Sequence, residues 1–352
     1  MPLNKYWPHK TLLWKDWKIS WSIFVPFFLF VTYATTFSLL FTITDYIASG
    51  WPGFIGPWPG FLHFENRLVS EPWVGIPLLL FTIALATVSL GQERDRETLG
   101  LLLAMPYSRQ DILFSKVVVG LVQILITLAA NALLMTLIVW ANAGIPFPFG
   151  TPDIWGWALR SFLVLTFIFC FTVLIATVSG TAWGSGILAM IFLFFPAGLY
   201  LLLETNFNFW VSWHYPWFYA HSYWMWRNIF SDIALLATVP AWIMDFSMFG
   251  KYNPVYLYGA LVVLSAGAYA LARFLFTKNP LENNGEVLVF ERLEGIFKLG
   301  VVVCFALLGG PLLTALAGIH NPGPLVLSLC YLLAGCVTWF LTNHLLKWRR
   351  ST

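Results

Sequence analysis

The chain has 352 residues, of which 59% are apolar, 18% aromatic and only 10% charged. A soluble domain carries about 25% charged residues, so this composition excludes a water-soluble globular protein. The formal net charge of +3 is small and gives no reason to expect a nucleic-acid partner. The apolar runs are long and continuous, unlike the short alternating segments of an outer-membrane barrel. They predict an all-α polytopic membrane protein, organised as one transmembrane domain over residues 1–352.

Runs of about 20 apolar residues predict eight membrane spans. Orientation follows from the excess of Lys and Arg in cytoplasmic loops. Placing both termini in the cytoplasm leaves Arg67, Arg160, Arg227 and Lys251 outside and puts the rest of the 19 basic residues inside. The predicted spans lie near 20–43, 73–91, 117–141, 157–180, 185–204, 254–276, 299–318 and 324–346.

The first 19 residues predict an amphipathic helix on the cytoplasmic leaflet, ahead of the first span. Three lysines occupy its polar side, where anionic headgroups attract them. Membrane anchoring and the docking of a partner are both compatible with this pattern. Its apolar face comprises Leu13, Trp14, Trp17 and Trp21, and its lysines are Lys10, Lys15 and Lys18.

Two segments predicted outside the membrane, 44–72 and 205–253, are rich in Trp, Phe, Tyr and Pro. Trp is favoured at the headgroup level because its ring is apolar and its N–H needs a polar partner. These segments either lie against the membrane or form an aromatic vestibule for an apolar or lipid-linked substrate.

Residues 92–116, between the second and third spans, have the composition of a short helix on the cytoplasmic surface. Five charged residues, 93–97, precede an apolar stretch that is too short to cross a bilayer and ends at Pro106. The charged residues can pair with a soluble partner while the leucines hold the segment against the membrane helices. Ser108 is predicted to cap the next helix, with Asp111 in its first turn.

This segment resembles the type-two permeases of ABC transporters, whose second and third spans are linked by a similar pattern. Two positions depart from that pattern: Glu97 replaces the usual Gly, and Gly100 replaces the usual Glu. The number of spans and a second cytoplasmic segment, at 277–298, are similar to those of the Ytr-like permease subunits of Gram-positive bacteria. The matching residues are Glu93, Arg94, Thr98, Leu99, Leu102, Leu103, Met105, Pro106, Ser108, Arg109, Ile112 and Lys116.

The resemblance implies a permease subunit in a bacterial cytoplasmic membrane, paired with a second permease copy or a paralogue and with cytoplasmic ATPase subunits. This sequence contains no Gly-x-x-x-x-Gly-Lys-Ser/Thr motif. ATP and Mg are therefore expected on the partner ATPase, and no cofactor is expected on this chain. We refer to residues 92–116 as the coupling segment. The residues implied in ATPase coupling are Glu93, Arg94, Asp95, Arg96, Glu97, Thr98, Leu99, Leu102, Leu103, Pro106, Ser108 and Arg109.

In such permeases the second and fifth spans line the substrate path. Here these spans carry no charged residue near their centres, which argues against a small ion as cargo. The resemblance therefore favours export of an amphipathic, peptide-like or lipid-like substrate. The implied path residues are Phe81, Thr82, Thr87, Ser89, Met190, Phe194, Phe195 and Tyr200.

Other interpretations remain open at this point. The segment 277–298 predicts a helix from Glu291 into the seventh span and could contact the ATPase or brace the coupling segment. A sensor subunit for envelope-active peptides would share these features. A membrane enzyme acting on a lipid-linked substrate would need a converging acid, base or metal set. The external histidines lack the spacing of a metal site, and none is predicted.

Overall fold

The computed structural model describes residues 10–49, 72–95, 107–145, 147, 149–214, 223–240, 242, 253–278, 291–319 and 323–350. Nearly all of these residues are helical. In chain order the α-helices are α1 Lys10–Thr32, α2 Ser38–Ser49, α3 Pro72–Asp95, α4 Arg109–Ala141, α5 Thr151–Val178, α6 Ala182–His214, α7 Tyr223–Ala237, α8 Pro254–Lys278, α9 Glu291–Leu316 and α10 Pro324–Arg350. A π-helical turn, Tyr33–Phe37, joins α1 to α2.

The all-α polytopic class predicted from the sequence is confirmed. Within the described residues, eight helical stretches are long and apolar enough to cross a membrane, and they fall at the eight predicted positions. Helix α1 runs without a break from Lys10 to Thr32, so the described part of the predicted interfacial helix continues directly into the first span. Helix α9 begins at Glu291, which confirms the predicted helix that enters the seventh span.

The chain divides into two compact units. The first contains Met1–Leu193 and Val239–Val289, and the second contains Phe194–Thr238 and Phe290–Thr352. In the first unit α5 packs against α3, α4 and α8, while α1 packs against α3 and α4.

In the second unit α9 packs against α10. Asn206 of α6 connects both helices, because its Nδ2 donates to the Leu307 carbonyl at 3.0 Å and its Oδ1 accepts a hydrogen bond from the Tyr331 hydroxyl.

The start of α4 is fixed by its cap. Ser108 has an extended backbone, its hydroxyl accepts a hydrogen bond from the Asp111 amide at 3.1 Å, and the Asp111 carboxylate accepts one from the Ser108 amide at 3.3 Å. This reciprocal capping box satisfies two helix-terminal N–H groups. The cap predicted at Ser108 is confirmed, so α4 begins at Arg109, within the coupling segment, and continues directly into the third span.

Gly91, near the end of α3, lies close to the start of α6. A Cβ at this position would lie 2.2 Å from the Ala182 Cβ and 2.6 Å from its backbone Cα. The backbone must therefore shift to accept a methyl group. We expect Gly91→Ala to lower the free energy of unfolding by about 1–3 kcal/mol, measured by thermal unfolding in detergent.

Gly267 of α8 provides the matched control, because a Cβ there would meet no atom within 4 Å. Alanine is favoured over glycine inside a helix by about 1 kcal/mol, so Gly267→Ala should leave the unfolding midpoint unchanged or raise it. Equal effects of the two substitutions would contradict the close approach at Gly91.

Candidate functional site

Four charged side chains from α1, α3 and α4 meet where the coupling segment begins and ends. Lys116 Nζ lies 2.9 Å from Glu93 Oε2 and 3.3 Å from Asp16 Oδ1. Lys15 Nζ lies 2.5 Å from Glu93 Oε1 and 3.6 Å from Asp16 Oδ1. We call Lys15, Asp16, Glu93 and Lys116 the charge cluster. Each cation contacts both anions, so the cluster is a closed network of ion pairs.

The charge cluster is withdrawn from solvent. The side chains of Lys116, Asp16 and Glu93 are 1%, 3% and 6% exposed, and only Lys15 retains substantial exposure, at 31%. A buried charge is tolerated only when it is paired and hydrogen-bonded. Two lysines and two acids give a cluster without net charge, which is the arrangement that burial requires.

Further hydrogen bonds complete the cluster. Lys116 Nζ donates to the Ser89 carbonyl of α3 at 2.5 Å, and the Ser115 hydroxyl donates to Asp16 Oδ2. The first bond uses a proton of Lys116 Nζ that the ion pairs leave free, and the second uses the second carboxylate oxygen of Asp16. The end of α3, the start of α4 and the first turns of α1 are thereby held together by ion pairs and by hydrogen bonds with one charged partner.

Glu93 lies two residues beyond the second candidate span, Val74–Gly91. Burial alone would raise the pKa of its carboxyl group, but the opposing effects of Lys116 and Lys15 outweigh burial and leave this pKa below its usual range. The opposing effects are Coulombic attraction and hydrogen bonds to both ammonium groups. Glu93 is therefore ionised at neutral pH, as the ion pairs require.

The cluster joins both ends of the coupling segment to α1. Glu93 is in the last turn of α3, and Lys116 is two turns into α4. The sequence pattern singled out Glu93 and Lys116 but missed Lys15 and Asp16 as their partners. One signal was present: Asp16 is an acid on the α1 face that also holds the buried residues Leu12, Ser20 and Phe24, where an unpaired charge would be costly.

The structure describes only some of the other predicted coupling residues. Arg94 and Asp95 end α3, and their side chains lie outside the described structure. Ser108 caps α4. Outside the described residues lie Arg96, Glu97, Thr98, Leu99, Leu102, Leu103 and Pro106. Their contact with an ATPase stays a prediction.

Arg109 is directed at the C-terminal end of α8. Its Nη1 lies 3.5 Å from the Phe276 carbonyl oxygen and 3.4 Å from that of Thr277. A cation at this end of a helix interacts favourably with its last carbonyl groups. The neighbouring residue Gln110 accepts a hydrogen bond from Arg273 of α8. The first turn of α4 therefore also contacts the end of α8, the helix that precedes the predicted second cytoplasmic segment.

The predicted path residues of α3 are largely internal. Thr82, Thr87 and Ser89 are buried, and each hydroxyl donates to a carbonyl of its own helix. Phe81 packs against the rings of Phe27 and Phe30, at centroid distances of 6.0 and 5.7 Å.

The predicted path residues of α6 are more accessible within their own units. Met190 belongs to the first unit and is exposed, whereas Phe194, Phe195 and Tyr200 belong to the second. Phe195 is exposed, while Phe194 and Tyr200 are half-buried, and the Tyr200 hydroxyl donates to the Arg227 carbonyl at 3.4 Å. The substrate path itself stays a prediction.

A polar seam that sequence reasoning missed follows the interface of α1 and α4 into the membrane. Gln123 Nε2 donates to Ser20 Oγ at 2.8 Å, and Thr36 Oγ1, in the π-helical turn, donates to Asn131 Oδ1 at 2.9 Å. All four residues are buried. Polar side chains between apolar helices form hydrogen bonds of this kind, which fix which helices pair.

Residues 73–212 match the family model described as ABC-2 family transporter protein. The match covers less than half of the chain, but it includes the whole coupling segment and the predicted second to fifth spans. It supports the resemblance to type-two ABC permeases that the coupling segment indicated. The chain has no significant match among curated proteins or among solved structures.

Proposed function

We propose that this chain is the permease subunit of an ABC transporter. It works in a bacterial cytoplasmic membrane with a second permease, identical or paralogous, and with separate ATPase subunits that bind ATP and Mg. The observation that carries the proposal is the charge cluster, because it ties both ends of the coupling segment to the membrane helices. The family match over residues 73–212 supports the same function.

The contacts at the cytoplasmic ends of the helices can pass a movement of the coupling segment on to the membrane helices. A movement of the coupling segment acts on Glu93 at one end and on Lys116 at the other. Lys15 links Glu93 to α1, and Asp16 links Lys116 to α1. Arg109 links the same region to α8. A shift of the coupling segment therefore biases the packing of four membrane helices at once, α1, α3, α4 and α8, as a switch between two packed states requires.

The composition of the spans favours an amphipathic, peptide-like or lipid-like cargo, moved outward. The predicted path residues carry hydroxyl, thioether and aromatic groups and no charge. An ion would need fixed charges or many oxygen ligands along such a path. An amphipathic molecule can be accommodated by aromatic and aliphatic side chains.

The proposal is tested on the complex purified through a tag on this chain from membranes of its own host. We expect ATPase activity to co-purify with the unaltered chain. In the double variant Arg96→Glu with Glu97→Lys, this activity and the ATPase subunit should be lost, because the reversed charges oppose those of the partner. Insertion and thermal stability should be retained, since neither residue belongs to the charge cluster.

Arg349→Glu with Arg350→Glu is the matched control, because it reverses charge at the cytoplasmic end of α10 instead of in the coupling segment. We expect this variant to retain the ATPase. Absence of ATPase activity from the unaltered complex would refute the transporter function. A fully coupled Arg96/Glu97 variant would refute the assigned contact alone.

A further inference from the structure

Two arginine side chains meet at the start of α4 and the end of α8. Arg109 Nη1 lies 3.5 Å from the Phe276 carbonyl oxygen, and Arg273 donates a hydrogen bond to Gln110, the residue after Arg109. Arg273 precedes Phe276 by less than one helical turn, which is roughly 5 Å along the helix axis. The two arginines therefore reach the same junction between α4 and α8.

This junction carries an excess of positive charge. Arg273 is exposed, and it forms no ion pair with a described residue, because its partner Gln110 is a neutral amide. Lys278 adds another cation at the end of α8, with its Nζ 4.2 Å from the centre of the Phe274 ring. The neighbouring carboxylate, Asp111, balances one of these three cations and is itself bonded to the cap residue of α4. The helix-end partial charges of α4 and α8 are opposite in sign and offset each other.

Arg273 lies where the hydrocarbon of a bilayer meets the headgroups. Helix α8 forms a candidate span of 25 residues, Pro254–Lys278, and is therefore about 37 Å long. A hydrocarbon core about 30 Å thick would leave about 4 Å of this helix outside at each end. The backbone of Arg273, five residues before the end of α8, lies at that boundary. Its long side chain extends outward into the headgroup layer.

The neighbours of Arg273 that are open to the surroundings are apolar. Leu271 and Phe274 of α8 are 48% and 52% exposed. Phe114 of α4, one helical turn beyond Gln110, is 38% exposed. Apolar side chains at this depth suit acyl chains, whereas a soluble protein would have to approach them through the headgroup layer. The combination of an exposed cation and exposed apolar side chains favours a lipid as the ligand.

We propose that the junction of α4 and α8 binds the headgroup of an anionic phospholipid on the predicted cytoplasmic side, with Arg273 as the main ligand and Arg109 beside it. The planar guanidinium group presents paired N–H donors that match two phosphate oxygens. Basic pockets between membrane helices on this side bind such headgroups in other membrane proteins. Gln110 holds the Arg273 side chain in place, which lowers the entropy cost of binding.

The net charge of the headgroup decides which phospholipid is preferred. Every phospholipid carries a phosphate, but a zwitterionic headgroup also brings a cation that the basic junction repels. Phosphatidylglycerol carries its phosphate with a neutral glycerol, so its negative charge is unopposed. The lipid site goes beyond the proposed transport function and does not depend on it. Its failure would leave the co-purification of an ATPase unaffected.

The test is native mass spectrometry of the purified full chain, released from detergent micelles that contain equal amounts of phosphatidylglycerol and phosphatidylcholine. We expect the phosphatidylglycerol adduct to predominate. In Arg273→Gln this preference should fall about fivefold, the effect of one basic side chain at a lipid surface. Arg273→Lys keeps the charge but loses the paired donors, so its preference should lie between the two. The thermal unfolding midpoint of each variant shows that the fold is retained, as expected for an exposed residue.

Lys18→Gln is the matched control, because it removes the same charge from an exposed lysine on α1. We expect this variant to keep the preference of the unaltered chain. Equal losses in Lys18→Gln and Arg273→Gln would show a diffuse attraction to anionic lipid and would overturn the site. A lack of preference for phosphatidylglycerol in the unaltered chain would also overturn it.

Two further measurements distinguish a lipid from other anionic ligands. Excess inorganic phosphate should leave the phosphatidylglycerol adduct in place, because it offers no acyl chain to the apolar side chains. Displacement by phosphate would assign the junction to a free anion instead. In complexes purified from the host, Arg273→Gln should retain the ATPase subunit. Loss of that subunit together with an unchanged lipid preference would assign the junction to a protein partner and overturn the lipid site.

Discussion

Lys116→Met is expected to lower the free energy of unfolding by about 3–5 kcal/mol, the range for breaking a buried ion pair from one side. Methionine keeps the length and apolar stem of lysine but removes the ammonium group. Asp16 and Glu93 then face each other with only Lys15 to balance them. The Ser89 carbonyl also loses its charged donor. Thermal or denaturant unfolding of the purified chain in detergent measures the change.

Lys18→Met is the matched control for Lys116→Met. Lys18 lies on the exposed side of α1, with its Nζ 5.3 Å from the centre of the Trp14 ring. An exposed cation–π contact contributes about 0.5–1 kcal/mol, so this substitution should have a small effect. Similar losses in the two variants would show that the charge cluster does not hold α1, α3 and α4 together.

A double substitution tests whether the cluster acts as one unit. Asp16→Asn and Lys116→Met each leave an unbalanced charge, whereas the double variant restores an equal number of positive and negative groups. We expect the double variant to lose less than the sum of the two single losses, by about 1–3 kcal/mol of coupling. Additive losses would mean that the contact between Lys116 Nζ and Asp16 Oδ1, at 3.3 Å, contributes little.

The elements that sequence reasoning located correctly are those determined by neighbouring residues. A span follows from the length of one apolar run, and the cap at Ser108 follows from Asp111 three positions later. Both signals are local, so neither needs knowledge of which helices pack together. The same reasoning placed the start of the α9 helix at Glu291.

The contacts that sequence reasoning missed join distant parts of the chain. Lys116 is 100 positions from Asp16, and Asn131 is 95 positions from Thr36. Lys15 illustrates the difficulty, because its spacing placed it with the lysines that face lipid headgroups, whereas the structure pairs it with Glu93. A long lysine side chain can reach either environment. Only the packing of α1 against α3 and α4 decides between them.

Glu93 gives the protein an acid-sensitive stability. Its pKa is lowered in the folded protein, so its contribution is complete above the pKa of the unfolded chain, about 4.3. The contribution is lost as the pH falls through the folded-state pKa. Protonated Glu93 leaves Lys15 and Lys116 opposed only by Asp16, a net positive charge in a buried site. We therefore expect no effect of this group between pH 6 and pH 8 and a progressive loss of stability below about pH 4.

Glu93→Gln isolates this contribution from that of the other carboxyl groups. The variant mimics the protonated state, so at pH 7 it should be less stable than the unaltered chain by about 3 kcal/mol. The difference should shrink as the pH falls, because the unaltered chain then also loses its Glu93 charge. Unfolding midpoints of both proteins, measured side by side from pH 7 to pH 3, check the prediction. A constant difference over that range would mean that the lysines do not hold Glu93 in its ionised form.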